Sequence, residues 1–360
     1  MKRNEKKKKD GRTIFSYTLK IVLLVCASLL ICGTTYFVYL TKKAEYAASQ
    51  SYEEIEDRDM SDKREVKVEP TQDNVSILFI GVDDSEERQA SGAGSPRSDA
   101  LILATLNNKE RTIKMVSIPR DSYVNIPYLG YKDKITHAHA YGGTLATVET
   151  VEELFDIPVD YYVKMNFNAF IDVVDALGGI EVEVPYTKWE KDENDQNSIL
   201  LEEGLQLLDG RKALALARTR KWDSDIERGK RQQEILKAIA TKAANFTSIG
   251  SYGAVIDAVG KNMKTDMTFD EMTHFFTYLL GGIPQMDSLT LAGTDGKDPY
   301  TGAYIYVLDE QNLLETQTIL KSHLGLIPDS SNLSGTTSDS NIEEAADDDN
   351  GTSEDAVSRN

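Results

Sequence analysis

The stretch "VSILFIGVDD", Val75–Asp84, is a short apolar and β-branched run that stops at glycine, valine and two aspartates. A run of this length and composition, closed by turn residues, reads as a buried strand. Runs of the same kind recur outward from it: "ALILATL" from Ala100, "TIKMVSI" from Thr112, "DYYVKM" from Asp160, "IEVEV" from Ile180 and the later "DSLTLAG". Helical patterns alternate with them: "TLATVETVEELF" from Thr144, "FNAFIDVVDALGG", "GRKALALA", "IERGKRQQEILKAIATKAANF", "SYGAVIDAVGKNM", "TFDEMTHFFTYLLGG" and a closing helix near Asp309 to His323. This mixture predicts an α/β domain over residues 74–328: a central mixed β-sheet covered by helices on both faces, an α-β-α sandwich.

The two ends differ from this domain. Ile21 to Thr41 is 21 residues without a charge, which at ~1.5 Å per residue crosses the ~30 Å hydrocarbon layer. It reads as one transmembrane helix preceding the domain. A cleaved signal peptide is the rival, but its apolar region is usually ~7–15 residues long, and "Ala47-Ala48-Ser49" is a poor cleavage site. Residues 1–20 carry eight Lys/Arg against two acids, so the positive-inside rule keeps them as a cytoplasmic basic tail and places the rest outside the cell membrane. Residues 42–73 are polar without sustained periodicity and read as an extracellular linker. Residues 329–360, with nine acids and one arginine, read as a disordered acidic tail.

Composition narrows the partners. Cys26 and Cys32 are the chain's cysteines, and both fall in the apolar span. The exported part therefore has neither a disulfide nor a thiolate metal site, which suits a cell with a single membrane facing its wall. The formal net charge is -19, and nucleic acid is an unsuitable partner for such a surface.

Against that acidity, a few segments carry chemistry. Asp83 and Asp99 lie near the ends of two strands that could be neighbours. Two such carboxylates suit a hard cation such as Mg²⁺, with substrate phosphates completing its shell; turn and cap roles are the plainer alternative. In "IPRD", Arg120 and Asp121 project from a strand end, where open α/β sheets bind ligands, although a simple salt bridge fits as well. "RTRKWDSDIERGKRQQEIL", Arg218–Leu236, is a cationic island. Arg218 and Arg220, two apart, point the same way if the segment is extended. Beyond them Asp225, Arg228 and Gln232, with Arg231 beside the stripe, form one face at a helix start suited to a polyanion. A solvated helix laced with salt bridges is the alternative.

Other signals are weak. His137 and His139 in "HAHA" lack a third ligand, so hydrogen bonding or packing outweighs zinc. "GTDGKD" is not a P-loop, and a serine nucleophile context is missing.

Taken together, "ILFIGVD", "RSDALILATLN", "KMVSIPRDSYV", "KITHAHAYGG", "NFNAFIDVVDALGGIEVEVP", "LDGRKALALARTR" and "DSDIERGKRQQEIL" resemble the LytR-CpsA-Psr family of cell wall glycopolymer ligases, in its short form without an accessory domain. The resemblance covers about Asn74 to Asn245; beyond Ser248 it is one of pattern. It implies a membrane-anchored phosphotransferase that moves a glycopolymer, such as teichoic acid or capsular polysaccharide, from undecaprenyl pyrophosphate to the 6-hydroxyl of peptidoglycan N-acetylmuramic acid. It further implies Mg²⁺ (or Mn²⁺) on Asp83 and Asp99. Arg97, Arg120, Arg218, Arg220, Arg228, Arg231 and Gln232 would surround the pyrophosphate, and Asp225 would position the acceptor hydroxyl or take its proton. The lipid would need an apolar groove, expected between the sheet and its helices. Two other readings remain: a regulatory protein that binds polyprenyl phosphate, and a lipid pyrophosphatase.

Overall fold

A computed structural model of the chain describes residues 2–56, 58–82, 96–192, 196–219, 224–245 and 252–328. The strands are β1 (Val75–Val82), β2 (Ser98–Asn107), β3 (Thr112–Ser117), β4 (Tyr123–Ile126), β5 (Tyr131–Lys134), β6 (Tyr161–Asn166), β7 (Ile180–Val184), β8 (Lys188–Lys191), β9 (Asn197–Leu201), β10 (Gly204–Leu208), β11 (Met263–Thr265), β12 (Gln285–Thr290), β13 (Gly293–Lys297) and β14 (Tyr304–Leu308). The helices are α1 (Lys2–Ser51), α2 (Thr136–Phe155), α3 (Phe167–Ala176), α4 (Gly210–Arg218), α5 (Asp225–Ala244), α6 (Tyr252–Asn262), α7 (Phe269–Leu280) and α8 (Glu310–Leu324).

Six strands make the central sheet, in the order β11-β6-β1-β2-β3-β12. It is mixed: β1 is antiparallel to β2 and parallel to β6, while β3 is antiparallel to β2 and parallel to β12. The carboxyl ends of β1, β3, β6 and β12 therefore share one rim with the start of β2. Both faces are covered. Leu78, Ile80, Leu101, Leu103 and Val116 join Val148, Val151 and Phe155 of α2 and Leu320 of α8 in one core. Val75, Ile77, Ala104, Met115 and Tyr161 join Met272 and Phe275 of α7 in a second. Burial on both sides explains why β1 is apolar apart from Ser76 instead of alternating. The expected sandwich is the fold of this chain.

A third core forms beside the sheet. The "IEVEV" strand pairs with β10 in a ribbon of its own, and Ile180, Val182 and Val184 face Leu201, Leu208, Leu216 and Ile235. Its glutamates are exposed, the alternation expected of a strand buried on one side.

The expected anchor lies within α1, whose apolar side chains from Ile21 to Tyr39 are exposed. The helix is long and apolar enough to cross a bilayer and runs on to Ser51. Its end is seated on α6, where a Cβ at Gly260 would lie 2.8 Å from Ala47 Cβ and where Lys43 Nζ is 2.7 Å from Asp257 Oδ2.

The linker reading of residues 42–73 needs correction. Ile55 is part of the first core. Arg58 donates two hydrogen bonds to the Glu152 carboxylate, at 2.9 and 2.9 Å, and Arg64 donates to both oxygens of Asp160, at 2.8 and 2.7 Å. Glu152 also accepts from Ser61 Oγ and from the Val159 amide. The segment looks solvated in sequence because its arginines find their carboxylates about ninety residues away, beyond the reach of any local pattern. The expected acidic tail, 329–360, lies outside the described residues.

Candidate functional site

The sheet rim assembles the first group. Val82, at the end of β1, pairs with Ser98 across a bulge, one residue from Asp99 at the start of β2. Ile118, just past β3, donates its amide to Leu101, so the chain leaves β3 beside Asp99. Arg120 Nη1 consequently lies 2.7 Å from Asp99 Oδ1, and its Nε lies 3.4 Å from Asp121 Oδ2. Asp121 bridges onward to Lys134 Nζ at 2.9 Å. The Arg-Asp salt bridge and the strand-end site are thus the same feature. Asp83 lies outside the described residues, leaving Asp99 as the described half of the expected carboxylate pair.

The cationic island supplies the second group, with one correction. Arg218 is not in an extended fork: it is the last residue of α4, and Thr219, φ −62° and ψ 140°, ends the helix. The Ala/Leu run favours helix through this point, and a guanidinium suits the negative end of the helix dipole. Arg218 donates to the Asp192 carbonyl at 2.8 Å and sits 4.3 Å from the Phe167 ring centroid, a cation–π contact. Arg220 lies outside the described residues.

The start of α5 is capped by Ser224 and carries Asp225, whose Oδ1 is 3.0 Å from Arg228 Nη1. Arg228 is buried, not solvated, and Gln232 Nε2 donates to the Ala217 carbonyl at 3.2 Å. Arg231 is also buried but serves the other side of α5. There it donates to the Leu216 and Thr219 carbonyls at 3.3 and 2.9 Å, satisfying the end of α4, and lines a second groove of about 650 Å³ with Glu181 and Lys242. Arg97 is exposed just ahead of β2.

Part of each group lines a cavity of about 730 Å³, within the usual ~300–1,000 Å³ range of ligand sites; Arg120 and Asp225 are not on its wall but contact Asp99 and Arg228, which are. Its walls are apolar: Phe79, Ile102 and Val163 from the sheet, Phe170 from α3, Leu236 and Ile239 from α5. Asp99, Arg218, Arg228 and Gln232 also line it. A cavity between sheet and helices is where an apolar groove was expected, and it arises because the second and third cores do not close on each other. Glu190 and Lys191 of the β8–β9 hairpin line it as well, with Glu190 accepting from Thr219 Oγ1 at 2.8 Å. The sequence reading missed these two, because "KWEKDENDQ" has the composition of a solvated loop.

The "HAHA" pair lies in the first turns of α2. His137 Nδ1 meets Asp133 at 2.8 Å, while His139 Nδ1 donates to the Pro96 carbonyl at 2.8 Å. Burial lowers the His139 pKa, so it stays neutral and pins the chain entering β2.

The fold and site define a mixed-sheet α/β domain on an apolar helix, with an apolar cavity that arginines also line. The LytR_cpsA_psr family matches residues 37–322, and the chain belongs to this family. It is 38% identical over 328 residues to polyisoprenyl-teichoic acid–peptidoglycan teichoic acid transferase TagT of Bacillus subtilis (strain 168), covering 91% of this chain and 100% of that one. It is also 38% identical over 307 residues to the TagU transferase of Halalkalibacterium halodurans, covering 84% and 97%. Among solved structures, TagT bound to LIIa-WTA aligns with a TM-score of 0.66 at 40% identity, covering 76% of this chain and 99% of that chain. TagT with bound octaprenyl pyrophosphate lipid aligns at 0.61 and 37% identity, over 76% and 99%.

Proposed function

We propose that this protein transfers a wall glycopolymer, a teichoic acid or a comparable chain, from an undecaprenyl pyrophosphate carrier to the 6-hydroxyl of N-acetylmuramic acid in peptidoglycan. The observation that carries this reading is the apolar cavity lined also by Asp99, Arg218, Arg228 and Gln232, in a chain similar to a prenyl pyrophosphate-binding relative. The prenyl chain occupies the apolar walls, and the pyrophosphate lies against the arginines. The acceptor oxygen attacks the phosphorus that bears the glycan. A new P–O bond forms, the pyrophosphate bridge breaks, and prenyl phosphate leaves. Arg120 and Arg218, with Arg220, neutralise charge growing on the leaving phosphate, and Asp225, held by Arg228, is the group assigned to the hydroxyl proton.

Asp99 offers hard oxygen at the cavity wall, a donor that fits Mg²⁺ or Mn²⁺; Asp83 is the proposed second ligand. When bound, the ion offsets pyrophosphate charge. The anchor α1 crosses the membrane with its basic end inside, keeping the domain outside beside its lipid donor.

The test uses the full chain in vesicles with lipid-linked donor and peptidoglycan. Arg120→Ala and Arg218→Ala each lower transfer by about 10²–10³-fold, with circular dichroism unchanged; normal transfer by both overturns the site assignment. EDTA stops transfer and Mg²⁺ restores it. Glycan phosphate released equally with and without peptidoglycan would favour the pyrophosphatase instead.

A further inference from the structure

The exposed tyrosines of the domain are gathered in one region. Among the described residues of 74–328, Tyr128, Tyr131, Tyr141, Tyr300 and Tyr304 are the exposed ones, and all lie on the β4–β5 hairpin, the start of α2 or the β13–β14 hairpin. Tyr300, at the tip of the last hairpin, is 91% exposed, and Tyr304 is 46% exposed. Packing does not account for rings held in water.

The two hairpins are docked on each other. Ser122 bridges to Tyr306, and the Tyr306 amide donates to the Asp121 carbonyl at 2.8 Å. Asp298 also accepts from the Tyr300 and Thr301 amides, at 3.0 and 2.6 Å, which fixes the tip. Tyr304 donates its hydroxyl to Asp295 Oδ1 at 2.9 Å, and the other oxygen of this exposed carboxylate has no partner among the described residues.

The region is continuous with the candidate site. Asp99 contacts Arg120, Arg120 contacts Asp121, Asp121 holds Lys134, and Lys134 Nζ lies 5.8 Å from the Tyr304 ring centroid. One unbroken chain of side chains therefore joins the phosphate end of the cavity to the tyrosines.

We infer that Tyr300 and Tyr304, with Asp295, form a subsite for the glycan strand of the acceptor, a reading that rests on the transfer function proposed above. Pyranose rings present an apolar C–H face that stacks on an aromatic ring, and hydroxyl and amide hydrogens at the ring edge that a carboxylate accepts. Lys132, Lys134 and Lys297 balance Asp133, Asp295 and Asp298 on these hairpins, so the surface has no net positive charge to hold a polyphosphate and suits the glycan strand of the acceptor better than the anionic donor.

The experiment titrates the full chain in detergent with peptidoglycan glycan strands stripped of their peptides, with dextran as control and octaprenyl pyrophosphate as donor-side probe. Tyr300→Ala and Tyr304→Ala are each expected to weaken strand binding about three- to tenfold. They should raise the acceptor KM by a similar factor and leave octaprenyl pyrophosphate affinity unchanged. The exposed Tyr300 can be replaced without disturbing the fold, so its variant stays informative if Tyr304→Ala is unstable. Unchanged strand binding in Tyr300→Ala, or equal affinity for dextran, overturns the inference while transfer stands. Tyrosine-dependent strand binding by a protein that transfers nothing supports the subsite and sinks the transfer reading.

Discussion

Individual side chains in this protein do work that their neighbours in sequence do not reveal. Glu152, buried against Arg58, Ser61 and the Val159 amide, is a case where removing one partner strands a charge. Arg58→Ala is expected to lower stability by about 3–5 kcal/mol, read from urea denaturation. Two titratable groups whose pKa burial shifts act in opposite directions. His323 bridges Thr105 and Thr112, and burial lowers its pKa from 6.5 to about 4. The unfolded chain therefore takes the proton first, and stability falls as pH drops through that window. Asp266, which accepts from the Tyr162 amide, is pushed by burial from 3.8 to about 7. Here the folded protein takes the proton first, and stability rises as pH drops from 7 toward 4. The two offset each other. Relative to the wild type, His323→Gln should gain stability on acidification and Asp266→Asn should lose it. Denaturation midpoints measured from pH 7 to pH 4.5 check both signs, and parallel curves for all three proteins would refute the pairing.

At the scale of elements, the segment after the anchor belongs to the domain. A chain beginning at Asn74 loses Ile55 from the core and both buried arginine pairs, so it should be markedly less stable than one beginning at Tyr52, or insoluble. Comparing the two thermal midpoints decides this. The approach of α5 to β3 depends on Gly229, where a Cβ would lie 2.6 Å from Ser117 Oγ. Gly229→Val forces the helix outward and should cost about 1–3 kcal/mol by overpacking, while disturbing Arg228 and Gln232 on the same helix. The strands and helices themselves were legible because period and propensity are local: β1 is read residue for residue, and the closing helix follows its Asp309 cap. The short ribbons β4–β5, β8–β9 and β13–β14 were not, since each includes one polar strand, YKDK, KWEK or GTDGK, and is held by pairing to its partner.

For the whole molecule, the decisive feature is a cavity between two cores. Its length should set which lipids fit. Ala217→Trp places a ring in the cavity and is expected to weaken octaprenyl pyrophosphate binding at least tenfold, at about 0.8 kcal/mol per displaced methylene. Binding of isopentenyl pyrophosphate, which offers the same charges on a short chain, should change little. Equal losses for both would mean that Ala217 acts on the charged end.

Much of the candidate site was legible as residue types in order. Asp99 and Arg120 were named from strand ends, Arg228 and Gln232 from helix spacing, and Arg218 from its spacing to Arg220; Asp99, Arg218, Arg228 and Gln232 line one cavity, and Arg120 contacts Asp99. Arg231 shares the same stretch yet turns to the other side of α5, and Arg218 ends a helix instead of opening a fork. The linear chain shows which side chains carry charge and which turns are helical, because those depend on neighbours a few residues away. It does not show which face of α5 meets the cavity, which carboxylates receive Arg58 and Arg64, or that two hairpins 170 residues apart bring their tyrosines together. Those outcomes depend on burial and pairing between distant segments, where one helical rotation or strand register sends the same side chain into a core, a cavity or water.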